Sequence, residues 1–513
     1  MIVHREHVFT FNVTKNQQQK HDDRLLSMKI RSVNFCLPLI VILSYSRADR
    51  PISADDLPSA LKKDEKFIPS LSEVNHCSDF MQEKFDHLGT KTPYRFVGNL
   101  NDSRLHYEGC EPLKLVGIVR HGTRTPGVKD AERIRRTLGK IQKNAFRSDD
   151  AEIKSGERLC QKEKDSLLNW NLSLESEDGK TLTHEGGKEM FSLGRRFMKR
   201  FSDFLDSIYT GANYFFKYTN TQRTEKSALS FVAGLFGEVE ARKVQFPEPP
   251  LDKDPVLRFY KLCERWKVEV KNSNASKIEL ELFKSTEAAL AMVERVSRRL
   301  GLEATLSYDE VNQMYLTCAF EVAWNSNNNV PWCSVFSLED LLVLEYGEDL
   351  KYYWRDGYGY RVSYEQACVL TKHIFDYFRS QTNPEREAVF YFTHSGTLLK
   401  LLSHLGLYKD EFPLKHDTAQ PLRERRQWRV SEIDAFGTNV VFVLFKCSNF
   451  GDLKVLTLHQ ENAVRIAGCP KDGDLCPMDE LRQILGADDT CSFSDLCKIR
   501  ADDHNRSHLQ GDL

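Results

Sequence analysis

Short apolar runs and one-faced helical stretches alternate along most of this chain. Leu113-Lys114-Leu115-Val116-Gly117-Ile118-Val119 reads as a strand buried on both faces, and Ala388 to Phe392, Thr438 to Lys446 and Lys454 to Leu458 read as further strands. Apolar spacing on a single helical face occurs at Glu189 to Leu205, Leu229 to Glu240, Ala288 to Leu300, Ser337 to Tyr346, Tyr364 to Arg379 and Thr397 to Leu405. Asn325 to Asn329 is a polar break before a turn at Pro331. The pattern predicts an α/β fold, a central, mostly parallel sheet flanked by helices and interrupted by a helical insertion. Residues 49–128 and 335–513 would form the discontinuous sheet domain, and 129–334 a mainly helical cap over the pocket that selects the substrate.

Ligands of open α/β sheets lie beyond the carboxyl ends of the strands. The first strand ends in Arg120-His121-Gly122-Thr123-Arg124-Thr125-Pro126, a histidine between two arginines. Planar guanidinium forks match phosphate oxygens and neutralise charge on a transferring phosphoryl group, a geometry lysine cannot copy. Gly122 allows close backbone approach, Pro126 stiffens the exit, and an imidazole there can act as a nucleophile. His394 follows the run Ala388 to Phe392 at a strand-to-helix junction, where helix N-termini bind anions. Arg223 follows the aromatic run Tyr214 to Tyr218 and precedes an apolar stretch.

The heptad resembles the signature of the histidine acid phosphatases, and the chain from roughly Cys77 to Cys476 is most similar to the multiple inositol polyphosphate phosphatases, relatives of the histidine acid phytases. The resemblance is carried further by Leu182-Thr183-His184-Glu185-Gly186, by Tyr218-Thr219-Asn220-Thr221-Gln222-Arg223-Thr224 with Ser227-Ala228, by Pro331-Trp332-Cys333, and by Phe392-Thr393-His394-Ser395-Gly396-Thr397. It implies the histidine phosphatase fold, a phosphohistidine intermediate on His121, and phosphate binding by Arg120, Arg124, Arg223 and His394. It also implies inositol polyphosphates such as phytate as substrates, with 2,3-bisphosphoglycerate a second substrate suggested by the family. Disulfides Cys110–Cys447, Cys318–Cys333 and Cys469–Cys476 follow from the likeness to phytases, while Cys491 and Cys497 are close enough in sequence to pair locally. No metal or other cofactor is expected, because guanidinium groups supply the positive charge.

One departure bears on chemistry. The family places a carboxylate one or two residues after the second histidine, where it protonates the leaving alkoxide; this chain has Ser395 and Gly396. Ser395 is a poor acid that would at best orient a water, and Glu461, Asp410 and Glu411 are candidate substitutes that the sequence does not rank. A positioned acid contributes about 10²–10⁴-fold. The expectation is therefore a phosphomonoesterase with its proton from elsewhere, or else an enzyme limited to good leaving groups, or a phosphate-ester binding protein with little turnover.

Residues 1–48 read as an extension followed by a signal peptide beginning at Met28, with its apolar core at Phe35 to Leu43; a signal anchor is the rival. Of thirteen cysteines, Cys36 lies in that segment and leaves an even set, as expected for export through the secretory pathway to the extracellular space or the endoplasmic reticulum lumen. Sequons at Asn101, Asn171, Asn274 and Asn505 are candidate glycosylation sites. No stable membrane span is expected after signal cleavage. Lysine and arginine total 72 against 74 aspartate and glutamate, and the pI is about 6.7, which argues against nucleic acid and for a small anionic phosphate ester as the partner.

Overall fold

The computed structural model describes residues 85–147, 159–172, 174, 179–251, 253–325, 330–380, 388–448 and 451–499. The proposed signal segment and Asn505 lie outside the described residues, as does most of the Asn325 to Asn329 break. No helix among the described residues is long and apolar enough to cross a membrane.

Among the described residues seven strands form one sheet: β1 (Cys110–Arg120), β2 (Tyr214–Tyr218), β3 (Ala388–Thr393), β4 (Asn439–Cys447), β5 (Asp452–His459), β6 (Asn462–Ala463) and β7 (Leu475–Pro477). Their order is β2-β3-β1-β4-β5-β6, with β7 beside β5. Side chains alternate between two cores, as strand periodicity requires. Leu115 and Val119 of β1 join Phe390, Phe392, Val441 and Val443 in one core, whereas Val116 and Ile118 join Val389, Tyr391, Val440 and Phe442 in the other. Both faces of the central strands are therefore dry, which is why they read as continuous apolar runs.

Eight helices of ten residues or more are present among the described residues: α1 (Val128–Asn144), α2 (His184–Arg200), α3 (Gln222–Phe236), α4 (Glu287–Arg299), α5 (Tyr308–Trp324), α6 (Leu338–Asp356), α7 (Cys368–Arg379) and α8 (Ser395–His404). Helices α2 and α3 cover one face through Met190, Leu193, Phe197, Phe231 and Val232. The larger helical body, including α5, α7 and α8, covers the other.

The α/β architecture is as expected, with two differences. The parallel pairing is confined to β2–β3 and β3–β1, while β1–β4 and β4–β5 are antiparallel, the four residues between β4 and β5 being too few for the crossover that parallel strands need. The segment 129–334 is not helical throughout: β2 lies inside it and pairs in register with β3, Tyr218 opposite Phe392, so this stretch returns to the sheet before leaving it again.

Cys110–Cys447, Cys318–Cys333 and Cys469–Cys476 are bonded as the resemblance implied. The local pair Cys491–Cys497 is not formed. Cys497 bonds Cys263 and Cys491 bonds Cys368, because the C-terminal segment packs across the helical body and each cysteine meets a distant part of it rather than the other.

The turn after β1 is held by the first turn of α2. A Cβ at Gly122 would come within 2.5 Å of Gly186 O, and one at Gly186 within 2.1 Å of Thr123 O, so backbone meets backbone with no room for a side chain. Thr183 Oγ1 donates to Thr123 O at 3.0 Å and accepts from Gly186 N at 3.1 Å. The Glu189 carboxylate accepts from Thr123 N at 2.8 Å and from Thr123 Oγ1 at 3.1 Å. This explains the Thr183-His184-Glu185-Gly186 motif, which builds a brace for the turn.

Two stability measurements check these readings. Gly186→Ala is expected to lose about 1–3 kcal/mol in urea unfolding, since its methyl meets backbone that cannot turn aside. Replacing Cys110 and Cys447 together by alanine, opening a loop of 337 residues, is expected to cost about 2–5 kcal/mol. A change within ±0.5 kcal/mol in either case would contradict the reading.

Candidate active site

The parallel strands β1, β3 and β2 all end at the same edge, and each delivers part of one site. The backbone continues their pairing for one more residue: His121 N donates to Thr393 O at 3.1 Å, and Thr219 N donates to Phe392 O at 3.1 Å. His121, His394 and Thr219 are thereby aligned side by side. The two imidazole centroids lie 5.6 Å apart at an interplanar angle of 67°. His394 caps the start of α8, and Arg223 is the second residue of α3. The structure thus brings Arg120, His121, Arg124, Arg223 and His394 into one cluster.

Hydrogen bonds fix the tautomers. His121 Nδ1 lies 2.9 Å from Gly122 O; a carbonyl only accepts, so the proton is on Nδ1 and Nε2 keeps its lone pair. Arg223 Nη2 donates to His394 Nδ1 at 3.3 Å, which leaves His394 Nε2–H to donate to Thr219 Oγ1 at 2.9 Å. Thr219 Oγ1 in turn donates to Thr224 Oγ1. Gly122 N donates to Ser227 Oγ at 3.1 Å, securing the turn from the α3 side.

The electrostatics are one-sided. Among the described residues no carboxylate pairs with Arg124, Arg223 or Arg258, and the Nε atoms of Arg120, Arg223 and Arg258 are buried without a partner. Burial, reinforced by the neighbouring guanidinium groups, pulls Arg124 and Arg223 down to about 10. Lys261 falls to about 8 through burial and the nearby Lys271 and Arg258. Both histidines are held well below the ordinary imidazole value, by burial first and then by Arg223. A cluster of cations and neutral imidazoles favours an anion, and an imidazole with an available lone pair among them is a competent nucleophile.

Arg120 is placed differently from the other guanidinium groups. It donates to Asp434 O and, at 2.9 Å, to Thr90 O, lies over the Phe436 ring, and is 3.5 Å from the Asp434 carboxylate.

None of the three suggested substitutes for the acid is here. Glu461, itself fully buried, is locked by Arg196, Arg200 and Tyr94 in an ion-pair network. Asp410 clasps a loop by accepting from Gln427 N and Trp428 N, and Glu411 is exposed. A Cβ on Gly396 would lie 3.1 Å from Tyr260, so the phenol ring occupies room that a longer residue would need.

Thr219, Arg258, Tyr260, Lys261 and Asp434 were not found from sequence as site residues. For Asp434 a signal existed. The bond from Cys110 to Cys447 joins the start of β1 to the end of β4, which makes the strands antiparallel and sets the residues before Asn439 beside the end of β1.

The sequence profile of the histidine phosphatase superfamily, branch 2, matches residues 113–466. The chain is 32% identical over 414 residues to multiple inositol polyphosphate phosphatase 1 of Drosophila melanogaster, covering 78% of this chain and 86% of that one. It is 28% identical to the Homo sapiens protein of the same name over 71% of this chain and 78% of that one. Among solved structures, the phytase from D. castellii superposes with a TM-score of 0.65 at 17% identity, covering 80% of this chain and 87% of that chain. Bifidobacterium longum multiple inositol polyphosphate phosphatase, in complex with inositol hexasulfate, superposes with a TM-score of 0.62 at 14% identity, covering 78% and 97%. These structural likenesses speak for the fold; the profile match over most of the sequence settles the family. The chain belongs to branch 2 of the histidine phosphatase superfamily, and it is an enzyme of the histidine acid phosphatase type.

Proposed function

We propose that this enzyme removes phosphate from inositol polyphosphates by double displacement. The observation that carries the reading is the surplus of buried positive charge around a neutral imidazole. Arg120, Arg124, Arg223 and His394 would hold one phosphoryl group while His121 Nε2 attacks phosphorus in line; the alcohol departs, and water then cleaves the phosphohistidine. One phosphate dianion does not require that much charge. Arg258 and Lys261, which lower the imidazole of His394, extend the field beyond the cradle and suit a substrate carrying further phosphates. The names of the relatives, and the inositol hexasulfate bound by a structural neighbour, point to the same substrate class.

A secretory-pathway location is part of the proposal. It is supported by five disulfides between described residues and by exposure of Asn101, Asn171 and Asn274 at three sequons.

A second reading, a phosphatase confined to good leaving groups, is favoured by Ser395 and Gly396 at the position of the usual acid. Phosphate release from phytate and from p-nitrophenyl phosphate separates the two: turnover of both supports the first, turnover of the aryl ester alone the second.

Purified wild-type protein should release phosphate from phytate, and His121→Ala should lose roughly 10³-fold or more of that activity. Wild-type activity in that variant would overturn the nucleophile assignment. Arg223→Ala should lose about 10²–10³-fold in kcat, the usual effect of removing one donor to a charged transition state. Because a protonated imidazole cannot attack and burial holds His121 low, the acid limb of kcat/KM should fall well below pH 6.5, the ordinary histidine value. An acid limb at or above 6.5 would contradict that reading.

A further inference from the structure

We infer that the proton for the leaving alcohol comes from Asp434 through the hydroxyl of Ser395, so that a two-residue relay replaces the carboxylate the family carries after its second histidine. The inference rests on the phosphatase reading of this site and adds its missing acid.

Four observations support it. Ser395 Oγ is hydrogen-bonded to Asp434 Oδ2. Ser395 begins α8 immediately after His394 and is part-exposed at the site, whereas the Asp434 side chain has no exposure at all, so the serine is the group that can meet a leaving oxygen and the aspartate lies behind it. Asp434 Oδ1 is buried with no partner, so Oδ2 is the oxygen through which this carboxyl meets the rest of the site and the one that can pass a proton to Ser395. Arg120 Nη1 stands 3.5 Å from Oδ2, ready to stabilise the carboxylate once that proton has gone.

The groups facing Asp434 agree with this role. Burial pushes its carboxyl up to about 6, opposed by Arg120, the Ser395 bond and Lys91 and aided by Asp356. An acid with that value holds a useful fraction of its protons in mildly acidic medium and surrenders them readily.

The step balances as follows. As the bond from His121 Nε2 to phosphorus forms and the phosphorus–oxygen bond to the alcohol breaks, the departing oxygen takes the Ser395 hydroxyl proton, and Ser395 Oγ takes the carboxyl proton of Asp434. In the second half, water attacks the phosphohistidine, the phosphorus–nitrogen bond breaks, and the water's proton returns through Ser395 to Asp434. No other reagent is consumed.

The relay predicts a dependence on leaving group that a structural role would not produce. Ser395→Ala and Asp434→Asn should each lower kcat on phytate by about 10²–10⁴-fold, the usual worth of a positioned acid, and lower kcat on p-nitrophenyl phosphate by no more than about 10-fold, since an aryl oxide departs with little help. The decline of wild-type kcat on phytate as pH rises through about 6 should be missing from Asp434→Asn. Should Asp434→Asn fail to fold, the part-exposed Ser395→Ala carries the test. Equal losses on both esters, no loss on either, or a wild-type enzyme that turns over only the aryl ester would overturn the relay. His121→Ala keeps the two readings apart, because loss of aryl-ester turnover in that variant sustains the phosphatase reading even if the relay fails.

Discussion

A cluster of buried cations with too few carboxylates to balance it is the constraint on which this structure turns. Bringing several guanidinium groups together out of water is unfavourable unless something anionic arrives, and the molecule records that tension in arginines drawn down to about 10 and in two imidazoles that stay neutral. The same field that makes the clustered cations costly on their own makes a phosphoryl group welcome, and it keeps the nucleophile unprotonated where an ordinary histidine would be charged. Binding and activation are one electrostatic fact.

Such a cluster persists only if the scaffold denies it relaxation. Gly122 against Gly186 leaves the turn no space to swing, Glu189 and Thr183 hold its peptide groups, and Ser227 holds it from α3. His394 is gripped through Thr219, itself an extension of β2 alongside β3. The site is therefore assembled from the ends of three parallel strands on one side and completed by the antiparallel β4 on the other, whose preceding loop brings Asp434 to the floor. A sheet of wholly parallel strands would have sent that loop to the opposite edge.

Much of this was legible in the chain. Strands buried on both faces announce themselves as apolar runs, and a histidine between two arginines at the end of such a run has few other uses. What was not legible has physical reasons. Helix α5 is apolar nearly all round, with Val311, Met314, Tyr315, Cys318 and Phe320 all buried, so no single stripe marks it. Helix α6 runs on to Asp356 beyond the expected end at Tyr346 because its charged second half is buried by pairing, Asp349 with Arg426 and Asp356 with Lys400, which hides it from any hydrophobic pattern. The short strand β2 was read only as an aromatic run, since its partner is more than 170 residues away in sequence. Asp434 lies in a stretch whose importance depends on strand direction, which spacing alone does not give.

The central claim is that His121 Nε2, freed by the bond from Nδ1 to the Gly122 carbonyl, is the atom that receives the phosphoryl group. The most direct measurement is an alkaline quench of the enzyme during turnover of phytate, followed by mass spectrometric and ³¹P NMR location of any covalent phosphate. The account predicts a single phosphohistidine at position 121, substituted on Nε2. Phosphate on His394, on Nδ1 of His121, or on no residue at all would contradict it.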